Sequence, residues 1–301
     1  MSDDDPAMTA AGIPLLAGFG GPVERLGGLT NRVYRLGGHC LRMPGKGTEE
    51  YINRANEAVA AREAAKAGVS PEVLYFDART GVMVTRFVDG AETMSPETFR
   101  LRAGAPGRAG QAFRKLHDSG AVFPFRFELF AMIDGYLKVL STKDVALPDG
   151  YHDVVREADQ TVRAALAAHE LPLAACHGDP LCENFLDTGS RMWIVDWEYA
   201  GMNDPMWDLG DLSVEAKFDA SQEEEMIRAY FGREPGASER GRIVIYKAMC
   251  DLLWTLWGLI QFANANPADD FWAYANGRFN RCKAMMETAA FSGHVAAVAK
   301  G

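Results

Sequence analysis

The sequence predicts an α+β protein in two lobes, a small antiparallel sheet followed by a large helical part. Three observations carry that reading. Between residues 22 and 88, short runs of alternating apolar and polar residues are separated by glycine turns, the pattern of antiparallel strands. After Gly90, apolar residues recur at three- and four-residue intervals, the helical period. Within that helical part, residues 173–198 form a hairpin that carries Asp179, Asn184 and Asp196.

Residues 1–12 read as a mobile tail, 13–88 as a nucleotide-binding lobe and 89–301 as a helical lobe with the catalytic loop and substrate pocket. From Val23 the chain gives three short strands joined by the turns Gly27-Gly28-Leu29-Thr30-Asn31 and Gly37-Gly38. The first turn exposes backbone N–H groups that can lie over phosphate oxygens, with Thr30 and Asn31 adding donors; a plain hairpin is the alternative. Neither Gly-x-Gly-x-x-Gly nor a Walker motif is present. Arg42 ends the third strand and is the first candidate for offsetting nucleotide phosphate charge, with Lys46 the second. Thr48-Glu-Glu opens a helix through Lys66, stopped by Gly68. Glu57 on it is placed to pair with Arg42, and Glu63 is the competitor. Strands near Val73–Phe76 and Val82–Val88 complete the sheet, and the backbone of Arg86, Phe87 and Val88 is the natural edge for adenine.

In the helical part, Pro96–Leu101, Gly107–Ser119, Leu129–Leu140 and Asp149–His169 carry the helical period. His117 reads as a capping or core histidine, and Asp208 as an acceptor for the backbone of the catalytic loop. The stretch from Arg240 to about Asn264 is apolar almost all round, as a central core helix is. Trp254 and Trp257 on it share one face. They read either as core or as an aromatic box around a quaternary ammonium, with Glu215 neutralising its charge.

The 301 residues are 48% hydrophobic and 24% charged, enough for a large core. A net charge of -10 argues against a nucleic-acid partner. Five cysteines, an odd count without a Cys-x-x-Cys pair, argue against a disulfide framework or zinc site and fit reduced thiols in a cytoplasm. The acidic start Met1-Ser-Asp-Asp-Asp lacks the basic region of a signal peptide, and the most apolar run, Leu252–Ile260, is too short to span a bilayer.

The hairpin carries the chemistry. His177-Gly178-Asp179 and Asn184 set an Asp-x4-Asn spacing, and the returning strand ends on Asp196. A hydroxyl attacking a γ-phosphate needs a proton acceptor, which Asp179 can supply. A metal bridging phosphates needs hard oxygen ligands, which Asn184 and Asp196 supply.

Taken together, Gly27-Gly28-Leu-Thr-Asn31, the run from Leu41 to Arg54, His177-Gly-Asp179 with Asn184, Val195-Asp196-Trp-Glu198-Tyr-Ala-Gly and Trp254-Thr-Leu-Trp257 resemble the bacterial choline kinases. These are a branch of the aminoglycoside phosphotransferase-like superfamily. The resemblance runs from about residue 20 to 265 and implies a bilobal protein-kinase-like fold with ATP- and Mg2+-dependent phosphorylation of choline. By motif position it implies Asp179 as general base, Asn184 and Asp196 as metal ligands, and Arg42 with Glu57 as the phosphate-positioning pair. It implies Trp254, Trp257 and Glu215 as choline-binding residues, with Tyr199 as a further ring. Ethanolamine, an aminoglycoside or another amino alcohol stays open as acceptor, as does a non-catalytic pseudokinase.

Overall fold

The structure, a computed structural model, describes residues 5–27, 31–45 and 52–301. The first lobe is a sheet of β1 (Val23–Gly27), β2 (Arg32–Leu36), β3 (His39–Met43), β4 (Val73–Asp77) and β5 (Val82–Arg86) in the order β1-β2-β3-β5-β4, antiparallel throughout. Alternation along β3 explains its two faces. Leu41 and Met43 are buried with Leu36 and Val84 in a small core, whereas Arg42 points to the other side.

That small core corrects one expectation. Part of the presumed tail is a helix, α1 (Pro6–Ala11), with Pro6 in its first turn and Asp5 as cap, accepting from Ala7 N at 2.9 Å. Its Ala10 packs with Ile13 and Leu16 beneath the sheet. A second correction concerns α2 (Arg54–Lys66), which starts later than the Thr48 signal suggested. Asn53 caps it, its side chain accepting from Ala55 N and Asn56 N, and Thr48 itself lies outside the described residues. Ala60, Ala61 and Ala64 join the main core, which brings Glu57 under β3 at 1% exposure.

The helical lobe runs through α3 (Pro96–Leu101), α4 (Ala105–His117), α5 (Leu129–Leu140), α6 (Tyr151–Ala158) and α7 (Ala164–Ala168). After the hairpin come α8 (Met206–Glu215), α9 (Ala220–Phe231), α10 (Ala237–Ala263), α11 (Phe271–Met286) and α12 (Ala289–Lys300). Helix α10 is the axis, with α5, α8, α11 and α12 against it. At 27 residues it is long and apolar enough to cross a bilayer, contrary to the expectation from its apolar run alone, but most of it is buried inside the fold.

Short strands carry the functional segment. β6 (Glu92–Thr93), β8 (Phe185–Asp187) and β9 (Met192–Ile194) form one ribbon, and β7 (Ala174–Cys176) pairs with β10 (Gly201–Asn203). The β8–β9 hairpin is pinned to α4: the fully buried Asp187 carboxylate accepts from Arg102 Nε at 2.7 Å and from Arg108 Nε and Nη2 at 2.8 and 2.7 Å.

Helix α4 meets α9 at Gly110, where a Cβ would stand 2.3 Å from Met226 O. Gly110→Ala is therefore expected to cost about 1–3 kcal/mol of stability through overpacking. Gly135→Ala, on the open face of α5 with nothing within 4 Å of the new Cβ, should be neutral or stabilising by up to about 1 kcal/mol. Urea denaturation of the two variants checks the contrast.

Candidate active site

Strand β7 delivers His177, Gly178 and Asp179 to the mouth of the helical lobe, and α8 braces them. Asp208, fully buried, accepts from His177 N at 2.7 Å and Gly178 N at 2.9 Å. His117 Nε2 meets the same carboxylate at 3.0 Å while its Nδ1 meets Tyr230 Oη at 2.9 Å, so both residues hold the loop in the supporting places expected of them. Gly178 has φ +84, and a Cβ there would stand 2.5 Å from Tyr199 O, which leaves no room for another residue. Burial pushes the His177 imidazole below its ordinary pKa and keeps it neutral. Its Nε2–H then donates to Val195 O at 2.9 Å, and its Nδ1 faces Asp179 N at 3.4 Å. One ring thus ties the loop of Asp179 to the strand end that presents Asp196.

Asn184 Nδ2 donates to Asp179 O at 3.0 Å, which orients the amide and leaves Oδ1 as a ligand. Asp196 is a non-glycine residue in the left-handed region, φ +66. Its carboxylate faces the sheet, accepting from Arg42 Nη1 at 2.9 Å and Asn31 Nδ2 at 3.1 Å. Arg42 also pairs with Glu57 and donates to Gly81 O at 3.2 Å. The sequence-predicted Asp179, Asn184, Asp196, Arg42, Glu57 and Asn31 therefore converge; Thr30 and Lys46 lie outside the described residues. Glu198 and Arg54, which sequence reasoning did not single out, belong to the same cluster. Glu198 accepts from Asn31 Nδ2 at 3.0 Å and Arg54 Nη1 at 2.7 Å. The oxygen-only donor set of Asn184 and Asp196 suits Mg2+, a hard cation.

Electrostatics separate the carboxylates. Burial raises Asp179 well above its ordinary value, and the nearby Glu215 and Asp196 push it further. Glu198 sits below its ordinary value, because Arg42 and Arg54 together outweigh its burial.

Two expectations need correction. Glu215 is not a free counter-charge: Arg278 of α11 pairs with it, donates to Asp251 at 3.2 Å and stacks over Tyr274, 4.6 Å from the ring centre. The adenine edge is narrower than expected, because the N–H groups of Arg86 and Phe87 donate to Glu72 O and Gly38 O, both at 2.9 Å, within the sheet. Among the described residues, the Val88 N–H has no such acceptor.

The aromatic positions split between two groups of rings. Trp254 is buried edge-on to Tyr199, centroids 5.2 Å apart, and its Nε1–H donates to Asp211 at 3.1 Å. Trp257 sits edge-on to Phe271 and Tyr274 at 5.5 and 5.8 Å. Asp211, Tyr274 and Arg278 were missed; for Tyr274 and Arg278 the spacing of four after the Asp270 cap was the signal that could have found them.

Asp208→Asn replaces a double acceptor by a group with one acceptor atom, leaving a buried loop N–H facing another donor. The expected cost is about 1–3 kcal/mol, with faster amide exchange at His177 and Gly178, read by thermal melting and hydrogen exchange.

The phosphotransferase enzyme family, APH, matches residues 23–244. A choline/ethanolamine kinase family protein from Mesorhizobium loti is 74% identical, with a TM-score of 0.91 and 98% of both chains covered. Choline kinase LicA from Streptococcus pneumoniae is 27% identical, with a TM-score of 0.73 over 88% of this chain and 92% of that one. Ethanolamine kinase 2 of Mus musculus is 26% identical over 80% of this chain and 68% of its own length. With its bilobal fold and this site, the chain belongs to the APH phosphotransferase enzyme family, in its choline/ethanolamine kinase branch.

Proposed function

We propose that the chain transfers the γ-phosphoryl group of ATP to the hydroxyl of choline, giving phosphocholine and ADP. The observation that carries this is the convergence of Asp179, Asn184 and Asp196 close to the carboxylates of Asp211 and Glu215 and the edge-on rings of Trp254 and Tyr199. In this reading Asp179 accepts the proton of the attacking hydroxyl as the oxygen–phosphorus bond forms and ADP leaves. Arg42, held by Glu57, neutralises the nucleotide phosphates, with Asn31 beside them. Asn184 and Asp196 would hold Mg2+, which would offset the charge of the phosphates. Val88 N–H and the neighbouring carbonyls of Arg86 and Phe87 remain to receive the base.

The substrate class follows from the pocket. Asp179, Asp211 and Glu215 stand close enough to disfavour one another's negative charge, with Arg278 beside them, so a cation is favoured there. A quaternary ammonium donates no hydrogen bond and is held by ring faces, which Tyr199, Trp254, Trp257 and Tyr274 supply. One observation favours ethanolamine as a second reading: Asp211 Oδ1 is buried without a hydrogen-bond partner and would suit a primary ammonium. The intact set of Asp179, Asn184 and Asp196 argues against a pseudokinase.

A coupled ADP-release assay with choline, ethanolamine and kanamycin decides among the acceptors; the highest kcat/KM is expected for choline, and a preference for ethanolamine would select the second reading. Asp179→Ala should lower kcat by at least about 10²-fold while ATP still binds; retained turnover would remove Asp179 from the role. Trp254→Ala should raise the KM for choline about tenfold and that for ATP little. Equal effects on both would place Trp254 in the core alone.

A further inference from the structure

The cluster around Arg42 holds a second arginine that the reaction as proposed leaves without a task. Arg54, the first residue of α2, is nearly buried, and its Nη1 donates at 2.7 Å both to Glu57 Oε2 and to Glu198 Oε1. These two carboxylates also reach Arg42. The placement of Arg54 is set by the turn before β5. A Cβ on Gly81, φ +73, would stand 2.8 Å from Arg54 Cδ and Nε, and Gly81 O accepts from Arg42. One tight turn therefore positions both guanidiniums.

Three carboxylates, Glu57, Asp196 and Glu198, face these two arginines. Without Arg54, Arg42 would answer all three alone, and nucleotide phosphates would compete with three protein anions for one cation. Glu198 would keep only Arg42, at 3.4 Å, and the Asn31 amide beside it, and a carboxylate so weakly offset repels incoming phosphates at a buried site.

We infer that Arg54 is a positioning residue for the nucleotide: by holding Glu198 and one oxygen of Glu57, it lessens the competition of protein anions with the phosphates for Arg42. This rests on the phosphotransfer reading above and adds a residue to it. Arg54 need not touch the nucleotide; it acts through Arg42 and Glu198. A residue that merely stabilised the start of α2 would have no reason to distinguish nucleotide from acceptor, because Asn53 already caps that helix.

The test uses the full chain with Arg54→Gln and Arg54→Lys. Binding of MgADP is measured by calorimetry, and the KM values for MgATP and for the acceptor by ADP release. Arg54→Gln should weaken MgADP and raise the KM for MgATP about tenfold while the acceptor KM stays within about twofold, and Arg54→Lys should fall between it and wild type. MgADP affinity within about twofold of wild type would overturn the inference. So would an equal rise of both KM values with a lowered melting temperature, the signature of a structural role. Should Arg54→Gln fail to fold, Arg54→Lys decides, with about a threefold loss of MgADP affinity expected and an unchanged value contrary. Wild type that binds MgADP but turns over no acceptor would refute the phosphotransfer reading instead, and the calorimetry would still judge Arg54.

Discussion

Two guanidiniums and three carboxylates meet at the seam between the sheet and the helical lobe, and the geometry of the site depends on their pairing. Arg42, Arg54, Glu57 and Asn31 come from the small lobe, and Asp196 and Glu198 from the strand end of the large one. Removing such charges from water is unfavourable unless each finds partners. The cluster therefore fixes how the two lobes face each other. It also explains the left-handed backbone at Asp196: the chain must turn sharply after β9 for that carboxylate to face Arg42. A conformation that costs on the order of 1–3 kcal/mol elsewhere is held here by two hydrogen bonds and the buried strand before it.

The helical lobe supplies rigidity. Asp208 gathers two loop N–H groups and His117, while His177 links that loop to Val195. On the opposite side, Arg102 and Arg108 clamp Asp187 at the end of β8. Asp179, Asn184 and Asp196 thus lie on short segments whose ends are all anchored, which suits a reaction that depends on positioning and electrostatics more than on covalent participation by the protein. The long helix α10 contributes differently. It is core along most of its length, and its Trp254 and Trp257 pack edge-on to Tyr199 and to Phe271 and Tyr274 of α11.

What the sequence made legible was local. The sheet could be read because its strands are short, alternating and separated by glycine turns, and the Asp179–Asn184–Asp196 set because a hairpin's length dictates what it brings together. The role of Asp208 was readable as a buried acid just past that hairpin. What stayed hidden depended on distance along the chain. Arg278 claims Glu215 from 63 residues away, and no local pattern announces that pair. The acceptors of the Arg86 and Phe87 N–H groups, Glu72 just before β4 and Gly38 in the β2–β3 turn, lie far from them in the sequence, so no local pattern shows that these donors are taken. Helix α1 is six residues long, too short for its apolar spacing to stand out, and it forms because Asp5, Pro6 and the underside of the sheet favour it.

The central claim is that the oxygen-bearing side chains of the hairpin receive a metal–nucleotide complex beside a cation pocket. A crystal structure with Mg2+, a non-hydrolysable ATP analogue and choline tests it most directly. The account predicts a metal ligated by Asn184 and Asp196, with the choline hydroxyl oxygen ~2.6–3.2 Å from an Asp179 carboxylate oxygen. A metal bound away from both residues, or choline seated out of reach of Asp179, would contradict it.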